Sequence, residues 1–153
     1  MAYVGPALFG IFALAMLVIA ITRRGKNLIS AIPPIDGETV VEERDIEFSE
    51  LRKRNALYTT LVFLRGRLRI TTERWIFTQP ALGTGTPVVR YVIHLRPRAT
   101  NPTGWADGVT TFVLDPAKSG MDDKGALRLF PLFDADSLPQ YVLLRGEGVD
   151  KLL

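Results

Sequence analysis

Apolar positions fall into two regimes along this chain. Residues 4–21, VGPALFGIFALAMLVIAI, carry no charge at all. Eighteen residues of helix would rise roughly 27 Å, close to the hydrocarbon thickness of a bilayer. Tyr3 stands at one end and Arg23, Arg24 and Lys26 at the other. No positive charge precedes the apolar run and no small-residue cleavage site follows it, which sets it apart from a signal peptide. The pattern predicts a membrane-spanning helix over residues 1–24. Gly5, Gly10 and Ala13 are its small positions for close helix approach. The flanking cations place residues after 22 on the cytoplasmic side of the inner cell membrane, with a short N-terminus outside, and they suit contact with anionic lipid.

The second regime is alternation. Residues 25–37, with Ile32-Pro33-Pro34-Ile35-Asp36-Gly37, read as a stiff linker, and residues 38–153 as one β-rich domain. Strands are expected to open at residues 39–41 and to run over residues 56–64, 67–71, 74–78, 88–95, 109–114 and 126–132. Arg65-Gly66 and Thr72-Glu73 read as turns, and residues 84–87, 97–108 and 115–125 as loops. In residues 67–71, Leu68 and Ile70 point inward and Arg67 and Arg69 outward. Trp75 and Phe77 share one face and are expected to fill the core. In residues 88–95, Val89, Tyr91, Ile93 and Leu95 face one way and Arg90, Val92 and His94 the other. Ser137, with Gln140 three residues on, fits the N-terminus of a short closing helix that Gly146 and Gly148 interrupt. The expected fold class is mainly β: a transmembrane helix followed by an antiparallel barrel or sandwich.

The stretch LVFLRGRLRITTERWIF at residues 61–77 resembles the core of bacterial pleckstrin-homology-like and GRAM-type domains. The matching residues are Gly66, Leu68, Ile70, Thr71, Glu73, Arg74, Ile76 and Phe77. Gly37-Glu38-Thr39-Val40-Val41 is similar to the opening of such domains. The resemblance implies a curved antiparallel sheet of about seven strands closed by a C-terminal helix. It also implies a binding or scaffolding module, with no catalysis, of a kind found beside membrane spans.

Charge changes this picture more than composition does. The overall balance of +3 conceals strong segregation. Residues 35–50 hold seven acids and one base, and residues 51–98 hold ten bases and one acid. Arg65, Arg67 and Arg69 on one strand, with Arg90, Arg96 and Arg98 on another, would form a cationic patch for an anionic partner if they share a sheet face. The alternatives are a solvated face and internal pairing with the acidic segment.

Candidate chemistry is sparse. The chain has no cysteine and one histidine. Disulfides, thiolate metal sites and histidine-based triads therefore lack their residues. His94, between Arg90 and Arg96, reads as a surface residue. Asp122-Asp123 and Asp134-x-Asp136 lack the spacing of a calcium loop, and Gly83-Thr84-Gly85-Thr86 lacks the lysine of a phosphate loop. The expectation is no catalytic, cofactor or metal site, and no nucleic-acid partner. The expected function is an accessory subunit whose domain caps neighbouring subunits of a membrane complex, respiratory or photosynthetic. The alternative is a module that binds anionic lipid headgroups.

Overall fold

The computed structural model describes residues 13–16, 28–52, 63–81, 83–99, 103–106 and 108–153. Among these residues nine strands form one sheet: β1 Val40–Leu51, β2 Leu64–Thr71, β3 Arg74–Pro80, β4 Pro87–His94, β5 Gly104–Ala106, β6 Val109–Val113, β7 Gly120–Met121, β8 Leu127–Leu129 and β9 Tyr141–Arg145. Their order in space is β5-β6-β4-β3-β2-β1-β9-β8-β7. Every neighbouring pair is antiparallel except β4 and β6, which run parallel.

The two ends of this sheet meet. Just past the end of β6, Leu114 bridges Pro131 just past the end of β8. The Asp115 N–H donates to the Phe130 carbonyl at 2.8 Å, and the Leu132 N–H to the Val113 carbonyl at 2.8 Å. Seven strands thus close into a barrel, with short β5 and β7 lying beside the seam. Closure turns the alternation of each strand into a single interior. Ile46 and Phe48, Leu68 and Ile70, Trp75 and Phe77, Tyr91 and Ile93, Phe112 and Leu114, Leu127 and Leu129, and Val142 and Leu144 form one buried cluster. Each strand of the barrel supplies two residues at period two, Leu114 lying one position past the end of β6. Leu138 before β9 and Val149 after it complete the cluster. Phe48 stacks on Phe77 with ring centroids 4.5 Å apart and lies 4.4 Å from Tyr91.

Charge selects the register in which β1 meets β2. At three successive outward positions Glu43 faces Arg69, Asp45 faces Arg67 and Glu47 faces Arg65. Opposite charges directly across a ladder stabilise, and like charges there destabilise. A slip by one residue would also turn Leu68 and Ile70 out of the core. The acidic and basic segments of the sequence are therefore the two halves of one ladder.

Several expectations are corrected. The single-pass anchor, and with it the inner-membrane placement, is not upheld: among the described residues no helix is long and apolar enough to cross a membrane. The described helical residues there are 13–16. The rest of the expected span lies outside the described residues. The C-terminal closing helix is also absent among the described residues. Residues 141–145 form β9 because Val142 and Leu144 alternate into the interior, and the chain then makes a 3-10 turn at Val149–Lys151. The barrel is mixed, not wholly antiparallel. The expected strand at residues 56–64 lies largely outside the described residues.

Gly66 is not a turn; it sits within β2, where its missing side chain matters. A Cβ there would lie 2.2 Å from the Thr78 carbonyl oxygen and 2.6 Å from Cζ of Phe77. Glycine thus lets the Phe77 ring pass beneath β2. Replacing Gly66 by Ala should lower unfolding free energy by about 1–3 kcal/mol, the usual cost of overpacking. Urea denaturation measures this, and a variant of unchanged midpoint and slope would refute the close approach.

Candidate functional site

Three features of the surface carry the charged and titratable side chains: the β1–β2 ladder, a buried ion-pair network beneath the N-terminal segment, and a groove across the outer sheet face.

The ladder contains the first half of the expected cationic patch. Arg65 lies 3.4 Å from a Glu47 carboxylate oxygen and Arg67 3.6 Å from Glu43. Arg69 also pairs with Glu43. Arg65 is 90% exposed, so its pair contributes little, roughly 0–1 kcal/mol. Of the three readings weighed for these arginines, the geometry matches internal pairing with the acidic segment. The second half of the patch stands apart. Arg98 pairs with Glu73 at 2.5 Å. Arg90 is the extra residue of a β-bulge: Thr78 faces Val89 while Phe77 faces Tyr91. Arg96 lies in the bend after β4 and is also engaged. The bulge breaks the expected alternation, so Val89 joins Val92 and Ile76 in a separate buried cluster outside the barrel.

That outer cluster is covered by residues expected to be a stiff linker. Ile29 and Ile32 pack against it. The Arg74 side chain pins them: its Nε and a terminal nitrogen each donate to Glu38 at 2.8 Å, and that nitrogen also donates to the Pro33 carbonyl at 2.8 Å. Glu38 accepts a further bond from the Thr71 hydroxyl at 2.7 Å. The Arg74 and Glu38 side chains are 7% and 12% exposed. This pair is the element that sequence reasoning missed. Its signal was present: Ile76 and Val92 are apolar on the outward faces of adjacent strands, which marks a face that something covers.

His94 faces Arg74 across β3 and β4 and is buried with it, not on the surface. Burial above all, and then the Arg74 guanidinium, holds its imidazole below the ordinary value of 6.5, with Arg98 adding to this and Glu38 and Glu73 opposing it. Burial works against the charge on Glu38, but the bonds from Arg74 and Thr71 and the Arg74 charge keep its carboxyl below the usual 4.5. Asp115 and Asp122 hold turns. Asp115 accepts from the Ala117 N–H at 3.0 Å. Asp122 accepts from the Lys124 and Ala126 N–H groups at 2.9 and 2.8 Å, and these bonds lower its pKa. Among the described residues no group of three or more metal-ligating side chains converges.

The groove, about 700 Å³, lies outside the sheet over Gly66, between Glu47, Arg65 and Arg67 on one side and Pro80 and Pro87 on the other. Arg145 borders it and stacks over the Phe63 ring at 4.1 Å. Of the residues expected at a membrane surface or in span packing, Arg23, Arg24, Lys26, Gly5 and Gly10 lie outside the described residues, and Ala13 is exposed. No family model, no curated protein and no solved structure matches this chain.

Acid should loosen this network in two steps. A histidine whose folded pKa is depressed contributes stability above its unfolded value of 6.5 that is lost as pH falls through the folded value. Glu38 adds a second loss below 4.5. Chemical denaturation between pH 7 and 5 should show stability falling for the wild type and a flatter profile for His94→Gln. Parallel profiles would contradict the assignment.

Proposed function

We propose that this chain is a non-catalytic docking module, an accessory or scaffold domain that binds a partner protein on its outer surface. The observation that carries this reading is the filled barrel interior. Among the described residues, sixteen buried side chains, three of them in a ring cluster, occupy the space where a ligand-binding barrel would hold its ligand. Binding is therefore assigned to the exterior, where the groove over Gly66 is concave and lined by both apolar and arginine side chains.

The chemistry-bearing side chains support the same reading. His94 sits under the Arg74–Glu38 pair. Asp115 and Asp122 spend their carboxylates on turn amides. The neutralised ladder of β2 weighs against an anionic lipid surface as the ligand, because each arginine of that strand already faces an acid. Arginines at the rim of an apolar groove are instead common anchors of protein interfaces.

A photo-crosslinking residue placed at position 65 of the full chain, in its native cells, tests this. One defined protein adduct is expected there, and none from the same residue at position 124 in the β7–β8 turn. Equal, diffuse labelling at both positions would overturn the groove as a docking surface.

A further inference from the structure

β1 is covered unequally along its two edges. β2 runs beside it from Val40 to Phe48, whereas β9 covers only Glu47 to Leu51. From Val40 to Asp45, the edge on the β9 side has no strand beside it among the described residues. Main-chain groups alternate in direction along a strand. The Leu51 carbonyl accepts the Gln140 N–H at 2.7 Å on the β9 side. Counting back in twos turns the N–H and C=O of Asp45 and Glu43 to that same side. A register shift between Val40 and Glu42 ends the regular edge at its N-terminal limit.

A groove of about 700 Å³ runs beside this edge, floored by Arg44 and walled by Glu147, Gly148 and Asp150. Its wall is fixed in place. Arg44 donates to the Glu147 carbonyl at 2.9 Å and pairs with Glu42 at 2.5 Å. Gly148 has φ 71°, and a Cβ there would lie 2.9 Å from an Arg44 nitrogen. Among the described residues a main-chain edge thus runs along a preformed channel with no strand beside it, the arrangement that accepts an added strand.

We propose that the edge of β1 from Glu42 to Asp45 binds an extended, basic segment of a partner protein as an additional strand. The proposal deepens the docking-module reading and rests on it. Charge argues for the occupant. Beyond the Glu42–Arg44 pair, the channel presents Asp45, Glu147 and Asp150 against Lys151. Lysine or arginine at alternate positions of the incoming strand would meet these acids. A second copy of the chain fits poorly. Residues 42–45 hold three acids and one base, so pairing this edge with itself sets acids against acids.

The test uses the full chain, labelled with nitrogen-15, and a capped peptide of alternating Lys and Val. Amide shifts confined to residues 42–45 and 147–151, with slowed hydrogen exchange at Glu43 and Asp45, are expected. A peptide of alternating Glu and Val should leave these amides unmoved. The double variant Glu147→Lys, Asp150→Lys should weaken the Lys–Val peptide by about tenfold while its own spectrum elsewhere stays native. Equal binding of both peptides, no shift with either, or an unchanged affinity of the double variant would overturn the proposal. Concentration-dependent protection of the same amides without peptide would assign the edge to a second copy instead. A defined crosslink from position 65 with no peptide binding would leave the docking module standing and remove the added strand.

Discussion

Closure of the sheet is the constraint on which everything else in this molecule depends. An open nine-stranded sheet would leave the aromatic face of β3 and β4 to solvent. Joining residues 113–115 to residues 130–132 turns that face inward and gives the pairs of apolar residues from seven strands one shared interior. The energy comes from burying those side chains, at roughly 25 cal/mol per Å² of apolar surface. The hydrogen bonds at the seam satisfy main-chain groups that would otherwise be unpaired edges. Neither term is sufficient alone, since the interior needs the closed wall and the seam needs the packed interior behind it.

Within that frame, charge decides placement more than stability. The ladder between β1 and β2 is exposed, and its pairs are individually weak. It disfavours wrong registers, because any shift sets like charges opposite or leaves acids without partners. The Arg74–Glu38 pair works differently. It is buried, bidentate and tied to Pro33 and Thr71, so breaking it leaves an uncompensated charge under Ile29 and Ile32. It fastens the N-terminal segment over β3 and β4 and shields His94. The functional reading follows from the same economy: among the described residues the inside is full, His94 and Glu38 are held in the Arg74 network, and the outer surface offers grooves and a strand edge.

Much of this was legible in the chain. The alternation at Leu68 and Ile70, at Trp75 and Phe77, and at Tyr91 and Ile93 located strands and core together, because period two is a property of the strand itself. The segregation of charge between residues 35–50 and 51–98 foretold internal pairing as one of three outcomes. What alternation could not show was a bulge: Arg90 adds one residue to β4 and moves Val89 to the outer face. Nor could local pattern show that Gly66 lies inside a strand, since a glycine needed for close approach reads like a glycine needed for a turn. Gly146 and Gly148 similarly obscured β9, whose Val142 and Leu144 are placed by contacts distant in sequence. The apolar N-terminal run read as a membrane span from its length, its lack of charge and the cations that follow it, and among the described residues no helix is long and apolar enough to cross a membrane. Of the candidate site, the arginines were visible and their partners were not, because pairing is decided by register. The Arg74 network spans more than thirty residues of sequence and leaves only Ile76 and Val92 as its trace.

The seam can be examined amide by amide. Native-state hydrogen exchange should show the Asp115 and Leu132 amides opening only with global unfolding, as slowly as the amides of Phe77 and Val92 in the middle of the barrel. Exchange at Asp115 and Leu132 as fast as in the exposed turn at Lys124, with Phe77 still protected, would mean that the two sheet ends do not meet and that the closed barrel is wrong.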